Sequence, residues 1–194
     1  MQSAVGVLVP RPTLVDAVVG SRRLTRQIAL ILGGAVLMAL LAQIVIPLPF
    51  TPVPITGQTY GVLLVGAILG SRRAPLSMLL YLGGGAAGLP IFAQHATPGG
   101  PTTGYLIGFV VAAAVVGWLA ERGFDRRLWT AAIAMLIGEV VIYAVALPIL
   151  GLFVGFGNVF ALGLVPFIPG DLIKLALAAA TLPLAWRLVP HDDA

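Results

Sequence analysis

The chain has 194 residues, 59% of them hydrophobic and only 9% charged, with a mean hydropathy of +1.06. Soluble domains carry about 25% charged residues, so this composition excludes an ordinary soluble protein and points to an integral membrane one. The sequence contains no cysteine, which excludes disulfides, thiolate catalysis and cysteine-ligated metals, and its length suits one domain with no appended catalytic unit.

Residues 1–26 read as a cytoplasmic tail with an amphipathic stretch around "PTLVDAVVG" (12–20). A helix that crosses the hydrocarbon core needs about 20 mostly apolar residues, in a range of about 17–25. The first such run is Gln27 to Ile46, closed by the proline cluster "PLPFTPVP". It is too long for a cleaved signal peptide, and five further runs follow. The second, from about Ile55 to Gly70, is short; "SRRAP" interrupts, and the third goes from about Ala74 towards Gly88. The fourth covers about Gly104 to Ala120, the fifth about Leu128 to Leu150 and the sixth about Phe167 to Leu188. The expected architecture is an all-α integral membrane protein with six transmembrane helices over 27–189, and cytoplasmic tails at 1–26 and 190–194.

The charges test that count. An even number of spans puts both termini on one side, together with the 70–74 turn and the 121–128 loop. Those segments hold Arg11, Arg22, Arg23, Arg26, Arg72, Arg73, Arg122, Arg126, Arg127 and Arg187. The opposite loops, about 47–56, 88–103 and 151–166, hold no lysine or arginine. Such asymmetry is the positive-inside pattern. It predicts cytoplasmic N- and C-termini and a multi-pass protein of the cytoplasmic (inner) membrane. Treating 55–88 as a single span would bury Arg72 and Arg73, so the five-span alternative is rejected. On the first helix, Ala29/Gly33 and Ala35/Ala39 place small residues four apart, a spacing that lets membrane helices pack closely.

Polar residues inside this apolar frame single out a site. The loops 47–61 and 83–109 are dense in glycine and proline, and irregular backbone at membrane depth is tolerated where it is buried in protein or lines a wet cavity. The second loop also carries Gln94, His95, Thr97, Thr102, Thr103 and Tyr105, which suggests a ligand-facing role. In "FIPGDLIKL" (167–175), Asp171 and Lys174 stand three apart and share a helix face. A first-turn acid favoured by the helix dipole and a snorkelling lysine would account for each singly. However, a surface i,i+3 pair contributes only about 0.2–0.5 kcal/mol, against about 2.5–3.5 kcal/mol to insert each charge at the bilayer centre. The pair therefore reads as functional, and Lys174 is the one fixed cation on the outer half. Glu139 in the fifth span shares a face with Tyr143 and should point inward; a structural and a binding role both fit it. With two histidines, no acid-rich motif and no phosphate-binding loop, the chain offers no enzyme site.

The stretches "PLPFTPVPITGQTYGVLLVGAILG" (47–70), "GLPIFA" (88–93), "GGPTTGYLIGF" (99–109) and "FIPGDLIKL" resemble the signature segments of BioY-type biotin transporters. These are the substrate-binding S components of energy-coupling factor (ECF) transporters, and the resemblance covers about residues 27–188. It implies capture of biotin without a cofactor. The partners it implies are a transmembrane coupling subunit and two cytoplasmic ATPases, which some members dispense with. The substrate-binding residues implied are Asp171 and Lys174, with Tyr105, Thr102, Gly104, Phe92, Pro90, Gln58 and Glu139. The small residues Ala29, Gly33, Ala35 and Ala39 would meet the coupling subunit. Asp171 would accept from the ureido N–H groups; Lys174 would serve either the ureido carbonyl or the carboxylate. Thr103 stands where the family pattern has a second glycine, and "AQHATP" (93–98) where it is glycine-rich. An S component for another vitamin, or an ion-coupled carrier working alone, would share many of these features.

Overall fold

The structure, a computed structural model, describes residues 11–19, 23–95 and 99–189. Arg22, Thr97, the 190–194 tail and the His95 side chain lie outside the described residues. In chain order the elements are α1 (Leu14–Val19), α2 (Leu24–Leu41), β1 (Val45–Ile46), β2 (Ile55–Thr56) and α3 (Gln58–Ala86). They are followed by α4 (Thr103–Ala120), α5 (Leu128–Val154), α6 (Val159–Gly163) and α7 (Ile168–Arg187), with 3₁₀ turns at Ala93–His95 and Phe124–Arg126.

Among the described residues, five helices, α2, α3, α4, α5 and α7, are long and apolar enough to cross a membrane. α3 is not one straight rod. Gly70 inside it has φ 84° and ψ 177°, a conformation open to glycine and strained for other residues. Gln58 donates from Nε2 to the Tyr81 hydroxyl at 2.9 Å, although the two stand 23 positions apart. A straight helix would separate them by about 35 Å at 1.5 Å per residue, so the chain must reverse at Gly70. The reversal is stabilised from outside: the Glu121 carboxylate accepts from the Ser71 backbone N–H at 2.8 Å and from its hydroxyl at 2.9 Å. Those bonds satisfy donors that a new helix start leaves orphaned. Gly117 of α4 packs directly on the backbone at Gly70, where any side chain would collide.

Two boundaries differ from the hydrophobic pattern. The first apolar run does not stay helical to Ile46: α2 ends at Leu41, and Val45 and Ile46 pair antiparallel with Thr56 and Ile55. β-branched residues ahead of a proline favour extended backbone over helix, so the all-α expectation gains a small two-stranded ribbon. The segment 151–166, read from sequence as a loop, likewise contains the end of α5 and the short α6.

Packing is inverted relative to a soluble protein. Large apolar side chains of α2, α5 and α7, among them Leu40, Val140, Ile173 and Leu177, are exposed, while Glu139 and Asp171 are buried. That is the arrangement expected where the solvent is hydrocarbon. Residues 11–16 are tied to the bundle. Thr13 donates to Asp16 at 2.7 Å, Asp16 pairs with Arg73 at 2.7 Å, and the Arg11 N–H donates to the Glu121 carbonyl at 2.7 Å. These contacts strap α1 across the Gly70 reversal. Burial pulls the Asp16 carboxyl up, but its bonds to Arg73 and Thr13 outweigh this and hold it below the usual carboxylate range. Further along the same end, Trp186 donates to Asp125 at 2.6 Å. The described arginines gather at this end of the bundle.

Candidate functional site

At the opposite end, residues 52–56 of the ribbon hairpin, 92–94, 100–102 and the start of α7 surround a cavity of about 260 Å³. Its apolar wall includes Val53, Phe92, Leu106, Phe109 and Phe167. Gln58, Thr59, Thr102, Tyr105, Tyr143, Asp171 and Lys174 supply polar groups. A mostly apolar cleft with a few converging polar groups is the usual form of a small-molecule site.

The polar centre is a network drawn from three helices. Lys174 and Asp171 of α7 pair at 3.1 Å, with side chains 17% and 10% exposed. Lys174 also donates to the Thr59 hydroxyl of α3 at 3.0 Å, and Thr59 stands 3.5 Å from the same Asp171 oxygen. The other Asp171 oxygen accepts from the Tyr143 hydroxyl of α5. Charged groups buried this deeply persist only when paired and hydrogen-bonded, and here each charge has at least two partners. Local sequence explains the placement. Pro169 sits in the first turn of α7, where its missing N–H costs nothing, and the three-residue spacing then turns Asp171 and Lys174 inward together.

The aromatic frame is fixed by the backbone around it. Tyr105 donates its hydroxyl to the Gly163 carbonyl at 2.5 Å and meets the Tyr143 ring edge-to-face at 6.1 Å. Phe92 packs edge-to-face on Tyr81 at 5.2 Å, and its ring fills the space left by the absent side chain of Gly85. Tyr81 in turn donates to the Ile91 carbonyl at 3.3 Å. The 99–103 turn is closed by Gly99 N–H donating to the Thr103 hydroxyl at 2.9 Å, so the threonine that departs from the family pattern latches the loop.

Gln94 of the loop lines the cavity, and of the nine substrate-binding residues expected from sequence, Asp171, Lys174, Tyr105, Thr102, Phe92 and Gln58 do so too. Three do not. Pro90 is exposed on the loop surface. Gly104 faces α5, where an added Cβ would stand 2.8 Å from the Ala146 carbonyl oxygen, so its smallness serves helix packing. Glu139 is buried behind the cavity wall, and neither of its carboxylate oxygens has a hydrogen-bond partner among the described residues. On α2, Ala29 and Gly33 lie on the exposed face, but Ala35 is buried in the core and Ala39 packs against it. A helix turns about 100° per residue, so these two pairs point to different sides.

Thr59 and the Tyr143–Asp171 bond were not foreseen. The signal for Tyr143 was its four-residue spacing from Glu139; Thr59 had only its position beside Gln58. The ring wall of Phe109 and Phe167 was also missed, because aromatics in apolar spans carry no sign of which way they face.

Known proteins resemble this chain in sequence and in fold. A family model described as the BioY family matches residues 11–191. A biotin transporter BioY of Rhizobium etli is 37% identical over 166 residues, covering 76% of this chain and 86% of the relative. A probable biotin transporter BioY of Lysinibacillus sphaericus is 39% identical over 178 residues, covering 84% and 87%. Among solved structures, the S-component for biotin from an ECF-type ABC transporter superposes with a TM-score of 0.73 at 22% identity, over 84% of this chain and 92% of that one.

Proposed function

This chain belongs to the BioY family, and from that premise we propose that it captures biotin at the outer face of the cytoplasmic membrane as the S component of an ECF-type vitamin transporter. The observation that carries the reading is the buried Asp171–Lys174 pair, held by Thr59 and Tyr143 at the polar centre of an otherwise apolar cavity.

Biotin offers two ureido N–H donors, a ureido carbonyl, an apolar bicycle and tail, and a carboxylate. Asp171 accepts from the ureido N–H groups; Lys174 and Thr59 donate to an oxygen of the ligand. Phe92, Phe109, Phe167 and Leu106 cover the thioether ring and tail. Ligand groups take over bonds that Asp171 and Lys174 otherwise make with each other, so the pair is kept charged and oriented in either state.

In this reading the two limbs of α3 are separate crossings joined at Gly70, which makes six transmembrane helices. The arginine-bearing end, with both termini, faces the cytoplasm, as the positive-inside pattern requires. The exposed Ala29/Gly33 face of α2 meets a transmembrane coupling subunit, and two cytoplasmic ATPases supply the energy. No step of catalysis falls to this chain.

Calorimetric titration of the detergent-solubilised protein with biotin tests the proposal. Trp118, Trp129 and Trp186 all belong to the arginine end, remote from the cavity, so heat is a better signal than intrinsic fluorescence. Saturable binding that requires Asp171 and Lys174 is the expected result. Folded protein that ignores biotin and binds another vitamin would redirect the substrate assignment.

A further inference from the structure

A second, differently built cavity lies at the arginine end. It has a volume of about 430 Å³ and is lined by Arg11, Arg122, Gly123, Phe124, Arg126, Arg127 and Thr130. An adjoining hollow shares Arg126 and Arg127 and adds Trp186 and Arg187. We propose that this arginine-lined cavity binds the phosphate headgroup of an acidic phospholipid.

Four observations carry the assignment. First, two of the guanidinium groups are oriented by rings and carbonyls and not by carboxylates. Arg122 stacks 3.3 Å above the Trp118 ring and donates to the Trp118 carbonyl at 3.0 Å; Arg126 lies 4.1 Å above the Trp186 ring and donates to the Pro12 carbonyl at 3.3 Å. Rings and carbonyls fix direction but leave the positive charge uncompensated. Second, none of the four lining arginines forms an ion pair among the described residues. Asp125 acts on Arg126 and Arg11 electrostatically, but it is buried beneath them and its bonded oxygen is turned to Trp186. Glu121 is engaged by Ser71. Third, Arg126 Nε is buried with no hydrogen-bond partner among the described residues, a donor without an acceptor at the cavity wall. Fourth, the backbone makes room. Gly123 has φ 85°, and a Cβ there would stand 2.5 Å from an Arg11 guanidinium nitrogen, so this left-handed glycine lets Arg11 lie across the 121–127 loop.

The surroundings favour a lipid over a free anion. Leu128, Trp129 and Leu188 beside the cavity are 51%, 79% and 84% exposed. Tryptophan at a helix end marks the level of the headgroups, and the exposed leucines beside it give the acyl chains of a phosphate seated among the arginines an apolar surface to leave along. Basic pockets at the ends of membrane helices hold acidic lipid headgroups through this combination of charge and shape. Arginine suits the task because its planar fork meets phosphate oxygens in pairs.

The test is native mass spectrometry of the full chain titrated with phosphatidylglycerol or phosphatidylcholine, with inorganic phosphate as a third arm. Wild type is expected to retain phosphatidylglycerol preferentially, and Arg126→Gln/Arg127→Gln to lose roughly 30-fold of that preference, given the contribution of each basic residue near a membrane surface. Arg72→Gln, on the same end but outside the cavity, should keep it. If the double variant does not fold, Arg11→Gln/Arg122→Gln removes two other lining charges and leaves the Arg126–Trp186 stack in place. Equal retention of the two lipids, or an equal loss in Arg72→Gln, would overturn the proposal. So would displacement of the lipid by inorganic phosphate at matching concentration, which would make this a free-phosphate site.

Discussion

At the arginine end, Asp16 and Arg73 pair at 2.7 Å with side chains 41% and 15% exposed; at the cavity end, Asp171 and Lys174 pair at 3.1 Å with 10% and 17% exposed. The two contacts look alike on a map and differ in what surrounds them. Asp16 and Arg73 fasten the α1 strap beside water, where an ion pair contributes about 0–1 kcal/mol and fades with salt. Asp171 and Lys174 stand where charges are costly, so each depends on the other and on Thr59 and Tyr143. One end distributes many charges cheaply over a surface; the other concentrates two in a mostly apolar pocket.

The difference predicts a gradient of effects. Asp171→Asn or Lys174→Ala should weaken biotin binding about 30-fold or more, since truncating one member of a buried hydrogen-bonded charge pair costs about 2–5 kcal/mol. Calorimetry against wild type reads this, and wild-type affinity in both variants would remove the pair from the site. The double variant Asp171→Asn/Lys174→Met should melt closer to wild type than either single one while still failing to bind, because no charge is left stranded. Tyr143→Phe removes one hydrogen bond to a charged acceptor, about 1.5–3 kcal/mol, and should raise the biotin Kd roughly tenfold or more. A Kd within twofold would mean that the hydroxyl is dispensable to the ligand.

Packing variants should separate stability from binding. Gly104→Ala places a methyl 2.8 Å from the Ala146 carbonyl oxygen, and overpacking of this kind costs about 1–3 kcal/mol. The melting temperature should fall by several degrees, with residual biotin affinity close to wild type in the cold. Glu139→Gln, behind the cavity wall, should change the Kd by less than about threefold; a larger loss would bring Glu139 into the site.

The smallest effect belongs to the strap. The Asp16 carboxyl is held below its ordinary value of 3.8 in the folded state, so its contribution is present above that value and is lost as pH falls through the folded one. Melting curves of wild type and Asp16→Asn should therefore differ by a constant amount of about 2 °C or less from pH 8 to pH 5 and converge only in acid. Convergence near neutrality would show that another group controls the strap.

Much of this was legible in the sequence because lipid imposes simple demands. Runs of apolar residues marked the helices, arginine placement marked one end, and two charges in a hydrophobic stretch marked the cavity. The chain reversal was legible only indirectly, through Arg72 and Arg73, because Gly70 makes it without an intervening loop. Thr59 and Asp171 meet across 112 positions, a distance over which periodicity carries no information. The same limit hid the role of Gly104, whose neighbour Ala146 belongs to another helix. Residue 29 and residue 35 looked equivalent as small positions; only the neighbours of α2 decided which one faced outward.

The strap also has a place in time. Asp16 leaves the ribosome well before its partner Arg73, which follows 57 positions later, and before Glu121, whose carbonyl holds Arg11. At about 5–20 residues per second, several seconds separate the synthesis of the two sides of this clasp. The first-made segment of the described chain thus waits for a partner, Glu121, made 110 positions after Arg11. It closes over a turn that only a later helix completes, which ties its docking to the assembly of the membrane domain as a whole.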